Sequence, residues 1–354
     1  MPWRSSVFYD MKSHVNIPIF IPHLGCPNQC VFCNQRTISG VSKFDINDVR
    51  REIDEALSTV GDNVSAEIAF FGGSFTGIDR DLMISLLELA YEYVLNGRVS
   101  AIRCSTRPDY INSEVLSILK RYRVKTIELG LQSCDDNVLN ITKRGHTAAD
   151  EITACDMIVN SGFELVGQMM IGLPGSSPES EIATARFIVE HRASAARIYP
   201  TVVFYDTELR AMAQGGQYHP LTTEDAVVRS AAVLQIFVDN NIDVIRIGLC
   251  ASENLSDASK YFSGPNHPAL GEMVESELYR RIISGLIDAQ VSKKDVILTI
   301  SVAKGCLSKA IGQRKTNKLQ LMREYGYADV RFTEDENLSD YKVKIKEERK
   351  RKCI

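Results

Sequence analysis

Over the first two thirds of this chain, short β-type runs alternate with helical stretches, which restricts it to a parallel sheet with helices packed outside. The runs are 17–21, 67–71, 101–105, 126–131, 165–171 and 195–199, and amphipathic helices are expected at 48–58, 81–95, 113–122, 149–160 and 179–190. Leu82, Leu86, Leu89 and Tyr93 form one apolar stripe, Ser113 stands as an N-cap, and Gly162 follows a helix as its stop. Six β/α units result, in either an open doubly wound sheet or a curved barrel. A helix at 223–240 and a strand at 244–247 close this part; 249–268 reads as loop, and a smaller unit starts near Ala269.

With 44% hydrophobic, 24% charged and 8% aromatic residues among 354, the chain has the balance of an ordinary globular protein. It has no run of 18 apolar residues, and 1–12, with Arg4, Asp10 and Lys12, has no secretory core, so a cytoplasmic protein without a membrane partner is expected. Nine cysteines in such a chain argue for metal-held or free thiols rather than a disulfide framework. A net charge of -4 gives no global attraction to phosphate, so any nucleic-acid contact has to be local.

Three cysteines are clustered. The first strand runs into Pro22-His23-Leu24-Gly25-Cys26-Pro27-Asn28-Gln29-Cys30-Val31-Phe32-Cys33, a C-x3-C-x2-C spacing in one loop. Three thiolates on a four-iron cluster leave one iron open to a chelating cosubstrate. A closed zinc site with His23 as fourth ligand is the alternative, but zinc knuckles usually draw ligands from two separated pairs. The loop follows a strand directly, where chemistry collects in parallel β/α folds. The other strands deliver polar or backbone-rich residues to the same rim: Gly72-Gly73-Ser74-Phe75-Thr76-Gly77, Ser105 to Asp109, Gly130 to Ser133, Ile171 to Gly175, and Tyr199-Pro200.

These residues resemble the radical S-adenosylmethionine (SAM) superfamily. Segments 105–110 (STRPDY), 128–133 (ELGLQS), 143–147 (KRGHT), 169–175 (MMIGLPG) and 198–201 (IYPT) are similar to the radical SAM module of the Elongator catalytic subunit over about 15–247. Several also resemble oxygen-independent coproporphyrinogen III oxidases. The resemblance implies an α/β fold with a partial (β/α)6 TIM-like barrel, a 4Fe-4S cluster, SAM cleaved to a 5'-deoxyadenosyl radical, and an electron donor such as flavodoxin or ferredoxin. It assigns the cluster to Cys26, Cys30 and Cys33, the methionine moiety to Gly72, Gly73 and Ser74, and the border of adenine to Phe32. Gly172 is expected to let adenine pack on its strand. Arg107, Glu128, Gln132 and Arg144 are read either as SAM or substrate contacts or as members of a buried ion-pair network.

After the barrel the sequence departs from Elongator, and its remaining residues hold no R/Q-x-x-G-x-G/A loop, which argues against acetyl transfer. Residues 264–272 lead into a helix at 273–287, similar to the short C-terminal extension of bacterial radical SAM proteins; His267 is read mainly as a loop residue. Next come a strand at 296–302, helices at 307–311 and 316–325, and a strand at 328–332, a β-α-α-β order resembling the minimal KH fold. Its basic turn, Gly312-Gln313-Arg314-Lys315, has Lys315 where KH domains carry a second glycine. With Lys304, Lys309 and Lys318 it forms a candidate RNA contact, set against a plain α/β cap with solvated lysines.

The expected division is therefore 1–248 for the barrel, 249–290 for a connecting extension, 291–340 for the KH-like unit and 341–354 for a basic tail, solvated or frayed. Cys104, Cys134, Cys155 and Cys306 read as structural, and Cys250 is a remote candidate methyl carrier. The leading expectation is a radical SAM enzyme modifying tRNA or ribosomal RNA. A tetrapyrrole-type enzyme and a non-enzymatic, zinc-stabilised RNA-binding protein are the alternatives.

Overall fold

The computed structural model describes residues 14–21, 25–26, 30–34, 44–61, 63–249, 261–289 and 296–349. His23, Cys250 and residues 350–352 of the basic tail lie outside the described residues. Strands β1 (His14–Phe20), β2 (Ser65–Phe71), β3 (Ala101–Thr106), β4 (Val124–Gln132), β5 (Glu164–Ile171) and β6 (Ala195–Pro200) match the six sequence runs closely. With β8 (Asp243–Ile247) they form one sheet in the order β1-β2-β3-β4-β5-β6-β8. The pairs β1/β2, β2/β3, β3/β4 and β6/β8 are parallel. The order ends at β1 and β8 without joining them, as an incomplete barrel does. Strand β4 is buried at all but one of its nine residues, the apolar continuity of a sheet covered on both faces.

The connecting helices are α1 (Ile46–Ser58), α2 (Arg80–Leu95), α3 (Ser113–Arg121), α4 (Asp136–Ile141), α5 (Ala148–Asn160), α6 (Pro178–Glu190), α7 (Glu208–Gln214) and α8 (Thr223–Asp239). Their starts are chemically marked. Asp45, Asp79, Thr147 and Ser177 each accept a backbone N–H of the first turn, and Thr147 and Ser177 complete capping boxes. At α3 the cap is Asn112, accepting from the Val115 amide, rather than Ser113, which becomes the first helical residue. Helices α4 and α7 escape sequence reading because six or seven residues are too few to display an apolar stripe.

The chain divides into two compact units. One comprises 1–29, 35–131 and 146–167; the other comprises 30–34, 132–145 and 168–354. The second includes a two-stranded ribbon, β7 (Val203–Phe204) with β9 (Tyr261–Ser263), of which β9 lies inside the stretch 249–268 expected to be loop. It also holds helix α9 (Leu270–Asp288) and a small sheet of β10 (Val296–Val302), β11 (Asp329–Glu334) and β12 (Val343–Arg349) in the order β11-β10-β12. Helices α10 (Leu307–Ile311) and α11 (Thr316–Tyr325) complete the β-α-α-β order.

Two features differ from expectation here. Residues 343–349, expected as a solvated helix or frayed end, are a strand antiparallel to β10; their alternating Val343, Ile345 and Glu347 give a period of two that the surrounding charges mask. Helix α9 is more than a connector, because Tyr279, Ile283 and Ile287, one face at i, i+4, i+8, pack with Leu298, Ile300 and Leu321 in the core of the small sheet. Truncating Leu298, fully buried in that core, to Ala is expected to cost about 2–5 kcal/mol, read as a lower urea midpoint; an unchanged midpoint would contradict this packing.

Candidate active site

In the first unit the cysteine loop and the glycine loop meet backbone to backbone. Gly25 has φ +73°, and a Cβ there would come within 2.2 Å of the Ser74 carbonyl oxygen and 2.7 Å of the Gly77 carbonyl carbon. A Cβ on Gly77 would in turn fall 2.5 Å from the Gly25 oxygen, so neither position admits a side chain. Cys26 therefore follows directly on a segment pressed against 74–77. Gly72, at φ +106°, lies where a Cβ would come 3.0 Å from the Ile21 nitrogen.

Hydroxyls tie the next loop to this one. Ser74 is fully buried; its Oγ stands 2.8 Å from Thr106 Oγ1 and accepts from the Arg107 amide at 3.4 Å. Thr76 Oγ1 lies 2.6 Å from Thr106 Oγ1. The Ser74 hydroxyl, expected at the methionine moiety of SAM, is thus engaged within the protein. Arg107, 4% exposed, donates through Nε and Nη2 to both Asp109 oxygens at 2.9 Å. His146 is buried behind them, with Nε2 3.0 Å from Glu151 and Nδ1 3.9 Å from Asp109.

Glu128 belongs to the ion-pair alternative. Its Oε1 accepts from Arg103 Nη1 at 2.9 Å, and Arg103 Nε donates to Glu67 Oε2 at 2.7 Å. One residue from each of three neighbouring strands builds this network. Arg103 and Glu67 escaped sequence reading because each sits in an apolar run and declares itself only through the sheet register.

In the second unit, the Val31 amide donates to the Thr142 carbonyl at 3.2 Å and its carbonyl accepts from the Leu209 amide at 2.8 Å. Val31 is buried with Val203, Leu209 and Tyr218, and Phe32 packs against this group. The Cys33 amide donates to the Cys30 carbonyl at 3.0 Å. Arg144, 6% exposed, directs Nη1 to Cys30 Sγ at 3.3 Å. Gln132 ends β4 in a left-handed conformation, φ +73°. Its Oε1 is buried with no hydrogen-bond partner among the described residues, an acceptor suited to a ligand that brings donors.

Gly172 is more heavily engaged than expected. Its amide donates to Glu181 Oε1 at 2.6 Å, its carbonyl accepts from the Tyr218 hydroxyl at 2.7 Å, and the space of a Cβ is taken by Leu221, 2.5 Å away. Arg229 Nε donates to Glu181 Oε2 at 2.8 Å. Burial nevertheless pushes the Glu181 carboxyl upward, against the pull of Arg229 and the Gly172 amide. Glu181, Arg229 and Tyr218 had no motif to reveal them.

Burial raises the Cys104 and Cys155 thiols, the latter to about 12, which makes both inert. Among the described residues no three His, Cys, Asp or Glu side chains stand close enough together to hold one metal ion, and residues 27–29 of the cysteine loop fall outside them. Nor, among the described residues, is any helix long and apolar enough to cross a membrane.

At the C-terminal turn, Gly312 has φ +79° and would bring a Cβ within 2.5 Å of Thr316 Oγ1. Arg314 and Lys315 are both left-handed, φ +52° and +65°, so Lys315 adopts the conformation a glycine takes easily. Buried Asn317 pins the turn by donating to the Ser276 and Ala310 carbonyls at 2.8 and 3.1 Å. The expected basic cluster is uneven. Lys309, Lys318 and Lys304 pair with Glu275, Asp329 and Glu336 at 2.9, 2.9 and 3.5 Å. Gln313, Arg314 and Lys315 are exposed, and neither Arg314 nor Lys315 has an acidic partner among the described residues.

Known proteins bear on this geometry. Residues 20–188 match the radical SAM superfamily model and 193–280 match the Radical_SAM C-terminal domain. The tRNA uridine(34) acetyltransferase of Methanocaldococcus jannaschii is 32% identical over 133 residues, 37% of this chain and 25% of that protein. Human Elongator complex protein 3 is 27% identical over 256 residues, 61% of this chain and 47% of its own length. The chain thus spans between a quarter and about half of these curated relatives. The solved structure of archaeal Methanocaldococcus infernus Elp3, lacking residues 1-46, superposes with a TM-score of 0.60 at 21% identity, covering 76% of this chain and 63% of that one, a likeness of fold.

Residues 20–188 thus carry a radical SAM superfamily domain, followed over 193–280 by the C-terminal domain of that enzyme class. The class works with a 4Fe-4S cluster and SAM, and the partial barrel expected from the motifs is the fold observed.

Removing Arg103 would leave Glu67 and Glu128 buried and facing each other. Arg103→Ala is expected to destabilise the protein by about 3–5 kcal/mol, measured by denaturant unfolding; an unchanged midpoint would show that the network is dispensable.

Proposed function

We propose that this protein is a radical SAM enzyme that modifies RNA, with the cluster held by Cys26, Cys30 and Cys33 and the RNA backbone engaged by the turn at 312–315. The observation that carries the RNA reading is that exposed turn, which is rigidly pinned and presents Arg314 and Lys315 without acidic partners among the described residues. The names of the relatives support it, since one is a tRNA uridine(34) acetyltransferase.

When bound, the cluster and SAM supply a reductive cleavage that delivers a carbon radical able to take a hydrogen atom from the substrate. The chain's own residues prepare for this. Arg144 holds Cys30 Sγ by a hydrogen bond, and the interlocked Gly25 and Gly77 fix Cys26 beside the glycine loop. Gly72, Gly73 and Ser74 would hold the methionine moiety of SAM, and Gln132 offers its buried acceptor. Phe32 lies two residues beyond Cys30 and packs on a buried anchor, from which it would border the adenine of bound SAM. Arg107, clamped by Asp109, keeps a positive charge at the mouth of β3.

The decisive assay is anaerobic. Reconstituted protein with SAM and a strong reductant should form 5'-deoxyadenosine faster when bulk cellular RNA is present. Arg314→Ala with Lys315→Ala should abolish that stimulation and flatten the dependence of log affinity for single-stranded RNA on log salt by about 1.4. Turnover indifferent to RNA would overturn the reading in favour of a small-molecule substrate such as a tetrapyrrole. Separately, Gly25→Ala should retain secondary structure by circular dichroism yet lose most of its iron and its absorbance near 400 nm; full iron retention would refute the assigned role of the glycine contact.

A further inference from the structure

Beside the cysteine loop, the second unit displays two aromatic rings to solvent. Tyr205 follows β7 and Phe262 lies in β9, 36% and 38% exposed. The antiparallel ribbon brings them together, with ring centroids 6.1 Å apart and planes at 78°. The Arg210 guanidinium sits 5.0 Å from the Tyr205 ring and 5.8 Å from the Phe262 ring. Its Nε is buried with no hydrogen-bond partner among the described residues, and Nη1 reaches the Tyr205 carbonyl at 3.5 Å. Arginine is therefore held to these rings by their π-faces more than by hydrogen bonds.

The cluster is anchored to the catalytic loop. Arg210 is in α7, whose Leu209 amide donates to the carbonyl of Val31, between Cys30 and Cys33. The far strand is fixed as well, because Gly264, at φ +107°, passes so close to the Thr201 carbonyl that a Cβ would lie 2.8 Å from it. Two rings and a guanidinium are thus built at a defined place, in a part of the chain that could have hidden them.

We infer that Tyr205, Phe262 and Arg210 form a stacking platform for an unpaired nucleobase of the RNA substrate. The inference rests on the RNA reading above and adds to it a base-binding site anchored to the cysteine loop, built from other residues than the backbone-binding turn at 312–315. Flat π-faces beside an arginine plane suit a nucleobase, which stacks on both and needs no sequence-specific hydrogen bond. An acidic or apolar peptide would use either the charge or the rings, not their alternation.

The test uses reconstituted full-length protein and fluorescence anisotropy at fixed salt, with a short labelled oligouridine and the same oligomer made with abasic residues. Tyr205→Ala with Phe262→Ala should weaken binding of the base-bearing RNA by about 5- to 150-fold and leave abasic binding unchanged. Tyr205→Trp, which keeps a stacking face, should bind like wild type. Matching 400 nm absorbance and thermal midpoint verify that the variants are folded. If the double variant binds oligouridine as wild type does, the platform serves something else, such as a protein partner, and this inference alone falls. Equal loss for both oligomers also overturns it, since the rings would then support the backbone contact. Wild-type protein that binds neither oligomer overturns this inference together with the RNA reading.

Discussion

A buried arginine shared by two carboxylates governs the first half of the sheet. Parallel strands buried on both faces leave no solvent for a charge, so Glu67, Arg103 and Glu128 are tolerable only together. The register that joins them is the one that aligns the strand ends, Thr106 among them, and the loops carrying Ser74 and Arg107 start from those ends. A slip of one residue would reverse the facing of every side chain in a strand and break the network and the rim together.

The fold was readable in the sequence wherever burial imposes a period. All six barrel strands lie close to their apolar runs, and the long helices between and after them, though not α9 or α11, start at a side-chain cap. What stayed hidden obeys other rules. Short helices such as α7 carry no stripe, the β7–β9 ribbon rests on five residues, and β12 alternates apolar residues with so many charges that it reads as a solvated tail.

The site divides along a similar line. The cysteine spacing and the strand-end motifs identified the family, because ligand chemistry demands particular residue types at fixed intervals. Partnerships across strands left no such trace. The sequence of β4 does not reveal that Glu128 pairs with Arg103, nor that of β5 that Leu221 stands where a Gly172 Cβ would point. Likewise, five basic residues near one turn looked equivalent in the sequence, yet three have carboxylate partners and only Arg314 and Lys315 remain exposed without one among the described residues.

The small sheet also carries a consequence for how the protein is made. Its central strand, β10, lies between β11 and β12, both of which follow it in the chain. Until 343–349 leave the ribosome, one edge of β10 stays unpaired, its Val296, Leu298, Ile300 and Val302 awaiting cover. At about 5–20 residues per second, that interval lasts a few seconds. Helix α9, made earlier, already presents Tyr279, Ile283 and Ile287 to the same apolar face. The helix thus covers the apolar face of the sheet, while its open edge waits for the last described strand.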